Sequence, residues 1–390
     1  MIAVKFAFKN LMAAGLRTWL NVFVLSLSFV LIIWLQGLYE GMGQFASRAM
    51  TEYDIGGGQY WHQNFDPFDP LNMEKMHGLI PAELQHLIAR GLATPQLLHP
   101  ATIFPHGRMQ SVRIRGIDPE QQILKIPSQV LKEQYGLIPA LIGQRFAQKL
   151  NAQEGDLLTI RWRDANGTFD AVDVEITKIM KTPVPSIDVG QIWLPLSVLQ
   201  KKLHLENQAT LVVLKTPPAQ PLTIPDWNFH SRKELLKEIE QLVYTKSVGA
   251  MFLYVVLIFL AMIAIFDSQV LSIFHRTKEI GTLIALGLTR WQVAGIFTLE
   301  GLITGILAGI VAAFYGFPLL YYFKANGFPL PASTDSYGLA LGERLYPFYP
   351  ISLIVGTVAI ILLLATLISF LPSSKIARLN PTDALRGKWS

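Results

Sequence analysis

Few residues in this chain are placed to do chemistry. Its eight histidines fall at irregular spacing. His62, His77, His86, His99 and His106 sit in loop-like surroundings, and no His-Glu-x-x-His pair or other metal-ligand pattern forms. With no cysteine, a small disulfide scaffold is excluded. A Gly-x-Ser-x-Gly elbow is absent, and so is the Gly-x-x-x-x-Gly-Lys-Ser/Thr loop that cradles nucleotide phosphates. No catalytic, cofactor-binding or metal site is therefore expected here. Two acids stand out because they interrupt apolar sequence, Asp267 and Glu300. A carboxylate at membrane depth is costly and marks a functional candidate; the competing reading is a structural hydrogen bond to a neighbouring helix.

The elements that must hold these acids are apolar helices. Charged residues make up 16% of the 390 positions, against about a quarter in an ordinary soluble domain. Residues 18–39, 247–266, 301–323 and 345–374 contain no Asp, Glu, Lys or Arg. Roughly 20 apolar residues span a bilayer, so each window is long enough, and a simple soluble enzyme is excluded. The termini and the loop between the second and third windows carry ten Lys/Arg against Glu279 and Asp383, whereas residues 41–247 hold 21 basic and 21 acidic residues. Cytoplasmic loops carry the Lys/Arg excess. The net charge of +5 thus reports topology and not nucleic-acid binding.

This predicts an α-helical membrane protein with four transmembrane helices and a large α+β extracytoplasmic domain between helices one and two. Its segments are a cytoplasmic interfacial helix (1–17), span one (18–40), the outer domain with helical stalks (41–247), span two (248–273), a cytoplasmic helix (274–290), span three (291–323), an outer loop (324–350), span four (351–371) stopped by Pro372, and a cytoplasmic tail (372–390).

Within the outer domain, Tyr53–His62 reads as a strand, and Ser111–Ile117 alternates Val112 and Ile114 against Arg113 and Arg115 as a half-buried strand. Ile142–Leu150 reads as a short amphipathic helix. Asn166-Gly167 marks a hairpin between strands through Leu157–Arg161 and Val172–Ile176, giving antiparallel sheets. Ser231 with Glu234 forms a capping box opening a helix that runs into span two. Gly37 and Gly41 permit close packing one turn apart. The run Ile55-Gly56-Gly57-Gly58-Gln59 has the composition of an ATPase signature loop, but without a phosphate loop it is read as coincidence.

The most informative segment is the loop Arg276-Thr277-Lys278-Glu279-Ile280-Gly281-Thr282-Leu283-Ile284-Ala285-Leu286-Gly287-Leu288-Thr289-Arg290. Ile280, Leu283, Ile284 and Leu288 share one helical face. That face is expected either to lie in lipid headgroups or to dock into a groove on a partner. In span three, Gly301, Gly305, Gly309 and Ala313 repeat at four-residue spacing, which predicts one bare face for tight helix packing, within this subunit or across a dimer.

Lys278-Glu279-Ile280-Gly281 with Ala285-Leu286-Gly287, and the ending Asn380-Pro381-Thr382-Asp383-Ala384-Leu385-Arg386, resemble the FtsX-like ABC transporter permease family. The order of one span, a large outer domain and three spans agrees. Gly58-Gln59-Tyr60, Arg115-Gly116-Ile117-Asp118-Pro119-Glu120 and Ile142-Gly143-Gln144 followed by Gly155-Asp156 make the lipoprotein-releasing permeases the most similar subfamily. The resemblance implies a subunit of the bacterial inner membrane, with both termini cytoplasmic and the large domain periplasmic. It implies a homo- or heterodimer of permease subunits and a separate cytoplasmic ABC ATPase that binds ATP and Mg. That ATPase couples through Lys278, Glu279, Ile280, Gly281, Leu283, Ile284 and Gly287. The implied function is mechanical extraction of lipoproteins from the inner membrane toward a periplasmic carrier, with Leu27, Val30, Leu31 and Trp34 lining the cargo path. Two alternatives stay open. One is an efflux permease exporting a periplasmic peptide or antibiotic with an adaptor. The other is a non-transporting regulator of a cell-wall hydrolase.

Overall fold

The computed structural model describes residues 16–132, 136–329 and 344–378. Residues 1–15 of the expected interfacial helix, residues 330–343 of the outer loop and the whole 380–386 ending lie outside the described residues. The chain divides into two compact units. One comprises the N-terminal segment to residue 42 together with residues 243–329 and 344 onward, and the other residues 43–242.

The first unit is helical. Helix α1 (Leu16–Met50), α5 (Arg232–His275), α7 (Arg290–Asn326) and α8 (Ile351–Ser374) are its long elements. Each is long and apolar enough to cross a membrane. Their shared core holds Val22, Leu25, Phe29 and Ile32 of α1 against Ala261 and Ile265 of α5, Ala308 and Ala312 of α7, and Ile361 and Ala365 of α8. Polar side chains stitch the same helices. Thr357 donates to Gln36 Oε1 at 2.8 Å, and Ser26 and Tyr315 share a 3.2 Å hydrogen bond. Gly37 faces the Tyr349 ring and Gly41 the Tyr346 carbonyl, so closely that a Cβ on either would overlap them. Pro372 does not stop α8. It lies inside the helix, and a 3₁₀ turn over Lys375–Arg378 follows. Helix α1 runs unbroken from Leu16 past residue 40 to Met50, and α5 runs unbroken from Arg232 through the second apolar window.

The second unit is β-rich. Its large sheet has nine strands: β1 (Gly58–His62), β2 (Ala93–Ile103), β3 (Gln110–Ile117), β4 (Ile138–Gly143), β5 (Leu157–Arg163), β6 (Phe169–Met180), β7 (Gln191–Pro195), β8 (Leu211–Leu214) and β9 (Trp227–Ser231). They run in the order β9-β1-β8-β2-β3-β7-β4-β6-β5, and β2 also pairs with β5. That extra pairing, Thr102 with Arg161 and Ile103 with Ile160, closes six strands into a ring and protects what would be an open edge. Alternate residues point inward, so Ile103, Ile114, Ile142, Ile160, Val174 and Ile192 fill the interior. The short helices α2 (Ala82–Ala89), α3 (Gln144–Leu150) and α4 (Leu196–Leu203) flank the sheet. The Asn166-Gly167 hairpin joins β5 to β6, with Gly167 at φ 84°.

Three expectations change. The sheet is mixed, because β3 pairs with β7 and β4 with β6 in parallel; alternation along one strand carries no information on its neighbour's direction. The strand expected from Tyr53 begins only at Gly58, since α1 ends in a π turn over Thr51–Ile55. Gly56 then takes φ 62° to redirect the chain, which gives the glycine run a structural role. Finally, β3 has no solvent face at Arg115. That side chain is buried, donates to Asp54 Oδ1 at 2.6 Å and to Gln96 Oε1 at 2.7 Å, and lies over the Trp193 ring.

Candidate functional site

Helix α5 ends at His275, and Arg276, at φ −106° and ψ 20°, turns the chain out of it. Helix α6 (Thr277–Ala285) follows at once, started by Thr277 Oγ1 donating back to the Phe274 carbonyl at 2.8 Å. It ends where Gly287 takes φ 101° and Leu288 N–H returns to the Leu283 carbonyl at 3.2 Å. This is a C-terminal reversal that favours glycine. Thr289 then caps α7 in a full capping box with Gln292. The sequence thus encodes a nine-residue helix with sharp stops at both ends.

The apolar face of α6 is already occupied. Ile280 is fully buried with Ile273, Val293, Ala294, Phe297 and Ile376, and Leu283, Ile284 and Leu288 pack against the same cluster. Ile280 is thus taken up by the chain's own α5, α7 and the turn after α8 and is not open to headgroups or a partner, while Leu283, Ile284 and Leu288 stay half-buried. The outward face is the mixed one: Lys278, Glu279, Thr282, Ala285 and Leu286 are exposed, with Trp291 beside them at the start of α7. Leu286 and Trp291 are 75% and 64% exposed. Gly281 is buried beneath the helix, and Gly287 is exposed at its end.

Arg276 locks the platform. Its Nε donates to Glu279 Oε2 at 2.7 Å, and its Nη1 lies 2.9 and 3.1 Å from the two Glu300 oxygens. The guanidinium also sits 4.8 Å from the Phe297 ring centroid. Burial works against its charge, but pairing with Glu300 and Glu279 outweighs that and raises its pKa above the ordinary arginine value. Glu300 is 5% exposed, and its own carbonyl accepts from Thr304 Oγ1 at 2.9 Å. The acid read as an isolated intramembrane carboxylate is therefore one half of an ion pair. Sequence reading assigned Arg276 to the topology charges alone, because nothing local connects it to a residue 24 positions later. Asp267 lies on an exposed face of α5.

Within the chain the four-residue stripe of α7 is packed at its first two positions. A Cβ at Gly301 would overlap the Ser369 side chain and one at Gly305 would come within 3.0 Å of Leu362, whereas one at Gly309 would meet nothing within 4 Å and Ala313 is exposed. Four residues overshoot a 3.6-residue turn by about 40°, so the stripe drifts off the contact. The packed line within the chain continues through Ala308, Ala312 and Gly316, where a Cβ on the last would clash with the Val30 side chain. The four lining candidates likewise do not share a face. Val30 is buried in the bundle and Trp34 meets Phe323 at a tilt and Phe328 edge-on, while Leu27 is exposed and Leu31 half-buried.

The macrolide export ATP-binding/permease protein MacB of Haemophilus ducreyi is 23% identical over 415 residues, covering 97% of this chain and 55% of that protein. Its Escherichia coli namesake is 20% identical over 423 residues, covering 98% and 60%. An uncharacterized ABC transporter permease of Methanocaldococcus jannaschii is 23% identical over 167 residues, or 42% of this chain and 38% of that one. The chain spans little more than half the length of the macrolide-export relatives. Residues 251–381, which include α6 and the Arg276–Glu300 pair, match the FtsX-like permease C-terminal family, so this is a membrane protein that carries an FtsX-like permease domain.

Proposed function

We propose that the chain is the membrane subunit of an ABC-type transporter, driven by an ATPase that docks on the outward face of α6. The observation that carries this reading is the double engagement of Arg276. By holding Glu279 of α6 and Glu300 of α7 together, it makes α6 a lever that cannot move without moving α7. An ATPase pushing on Lys278, Glu279, Thr282 and Leu286 would then displace packed helices and not a loose loop. Under this reading the termini are cytoplasmic, following the Lys/Arg bias, the β-rich unit is extracytoplasmic, and a second permease subunit completes the assembly.

For the cargo, the names of the relatives favour export of an amphiphilic compound such as a macrolide. Lipoprotein extraction remains the second reading, supported by the outer-domain resemblance at Arg115–Glu120 and Ile142–Gln144. Purification from native membranes in mild detergent, with mass spectrometry of everything retained, tests both. A co-purifying ATPase is expected, with an adaptor for export or acylated proteins for lipoprotein release. An intact preparation that retains no ATPase would overturn the reading.

A further inference from the structure

The outer face of the strand ring carries positive charge that the chain leaves largely unpaired. A cleft of about 520 Å³ opens there. Register brings its polar groups together. Arg113 on β3 lies beside Gln191 on β7, Ser111 on β3 lies opposite Thr102 on β2, and Thr102 lies opposite Arg161 on β5. Residues two apart on a strand share a face, so Ser111 with Arg113, and Arg161 with Arg163, present their side chains together.

Three features point to a ligand. Arg113 is half-buried, and among the described residues its guanidinium makes no hydrogen bond or ion pair. Burial, and then the nearby Arg115 cation, push its pKa below the ordinary arginine value despite the opposing pull of Asp54, a carboxylate that is itself paired with Arg115, so its desolvation is not fully offset. Arg161 is held between the Phe104 and Phe169 rings, 5.4 and 5.2 Å from their centroids, which preorganises it without neutralising it. Gln191, 5% exposed, donates its amide N–H to the Ser186 carbonyl at 2.6 Å, while its Oε1 is buried without a partner. A buried acceptor left unpaired costs about 1–3 kcal/mol, which a ligand hydroxyl would relieve. Arg163 lies 3.7 Å from Glu74 at the same cleft, so three guanidiniums and one carboxylate leave two positive charges. That matches a phosphomonoester dianion, whose oxygens suit guanidinium forks, with a hydroxyl alongside.

We propose that this cleft binds a glycerol phosphomonoester, with the phosphate on Arg113 and Arg161 and a hydroxyl donated to Gln191 Oε1. The group can arrive free or as the headgroup of a lysolipid. The full chain, in phosphatidylcholine nanodiscs, is titrated calorimetrically with glycerol 1-phosphate, with a short-chain lysophosphatidic acid and with succinate. Binding of either phosphate probe supports the site; glycerol 1-phosphate assigns a soluble ligand, and the lysolipid alone assigns a lipid headgroup. Arg113→Gln and the exposed Arg161→Gln should each weaken binding at least roughly tenfold with the thermal transition unchanged. Succinate binding as tightly as glycerol 1-phosphate, affinity unaffected by both substitutions, or no binding of either phosphate probe would overturn the proposal.

Discussion

The Arg276 guanidinium bridges Glu279 and Glu300, with 2.7 Å to the first and 2.9 and 3.1 Å to the second. One cation therefore joins the first turn of α6 to the eleventh residue of α7. Its location is as informative as its geometry, because it lies at the corner where α5 ends and α6 begins. A displacement of α6 reaches two apolar helices through this one side chain.

Removing the acid from that pair should be expensive. Glu300→Gln leaves Arg276, whose side chain is 17% exposed, with Glu279 alone. Breaking one side of a buried pair costs about 3–5 kcal/mol, and the partial exposure here puts the expected loss near the lower end. Thermal unfolding in detergent reads it. The double variant Arg276→Met with Glu300→Leu should recover most of that stability while still failing to stimulate a partner ATPase. Recovery of both would make the pair purely structural.

The two faces of α6 should respond differently. Ile280→Ala opens a cavity in a fully buried cluster and should cost about 2–5 kcal/mol. Leu286→Glu and Trp291→Glu alter exposed positions and should leave the thermal transition within about 0.5 kcal/mol. They should nonetheless abolish retention of the proposed partner ATPase in a pull-down.

Along α7 the glycines separate into packed and free. A Cβ at Gly301 would overlap the Ser369 side chain, so Gly301→Ala should destabilise the bundle by about 1–3 kcal/mol through overpacking. Gly309 has open space around it, so Gly309→Ala should be neutral, or favourable by up to about 1 kcal/mol from helix propensity. Denaturation of the two variants side by side checks the contrast.

Acid should weaken the β-rich unit. Burial pushes the pKa of both His62 and His99 below the ordinary 6.5. The folded form then binds fewer protons than the unfolded one in that range. Their contribution is full above about pH 6.5 and is lost as pH falls from there through the folded values. His99 spends its one ring N–H on the Arg163 carbonyl, Nε2 to oxygen 2.7 Å, and leaves Nδ1 buried without a partner. Thermal scans between pH 8 and pH 5 should show the decline, and His99→Gln should flatten it.

Composition and local periodicity sufficed for what depends on near neighbours. Four uncharged windows became four long helices. The glycine after Leu286 ends α6, and Asn166-Gly167 turns β5 into β6. The match over residues 251–381 includes the Lys278–Gly281 motif that suggested the family. Wherever a feature depended on a distant partner, local spacing misled or was silent. The face containing Ile280 read as available because Val293, Phe297 and Ile376 had no visible link to it. Arg115 read as a solvent-facing residue until Asp54 and Trp193 closed over it. The small-residue stripe shows four positions but not which of them meet a neighbour within the chain, since a 3.6-residue helix turns Gly309 and Ala313 away from the contacts that Gly301 and Gly305 make. Sequence by itself determined that this is a helical membrane protein with a β-rich insert and a short helix between its second and third apolar segments. Tertiary structure alone decided that Arg276 and Glu300 meet and which face of α6 is left outward. The reason is physical: hydrophobic period and capping act within a few residues, whereas charge pairing and burial depend on side chains that only the folded backbone brings within a few ångströms.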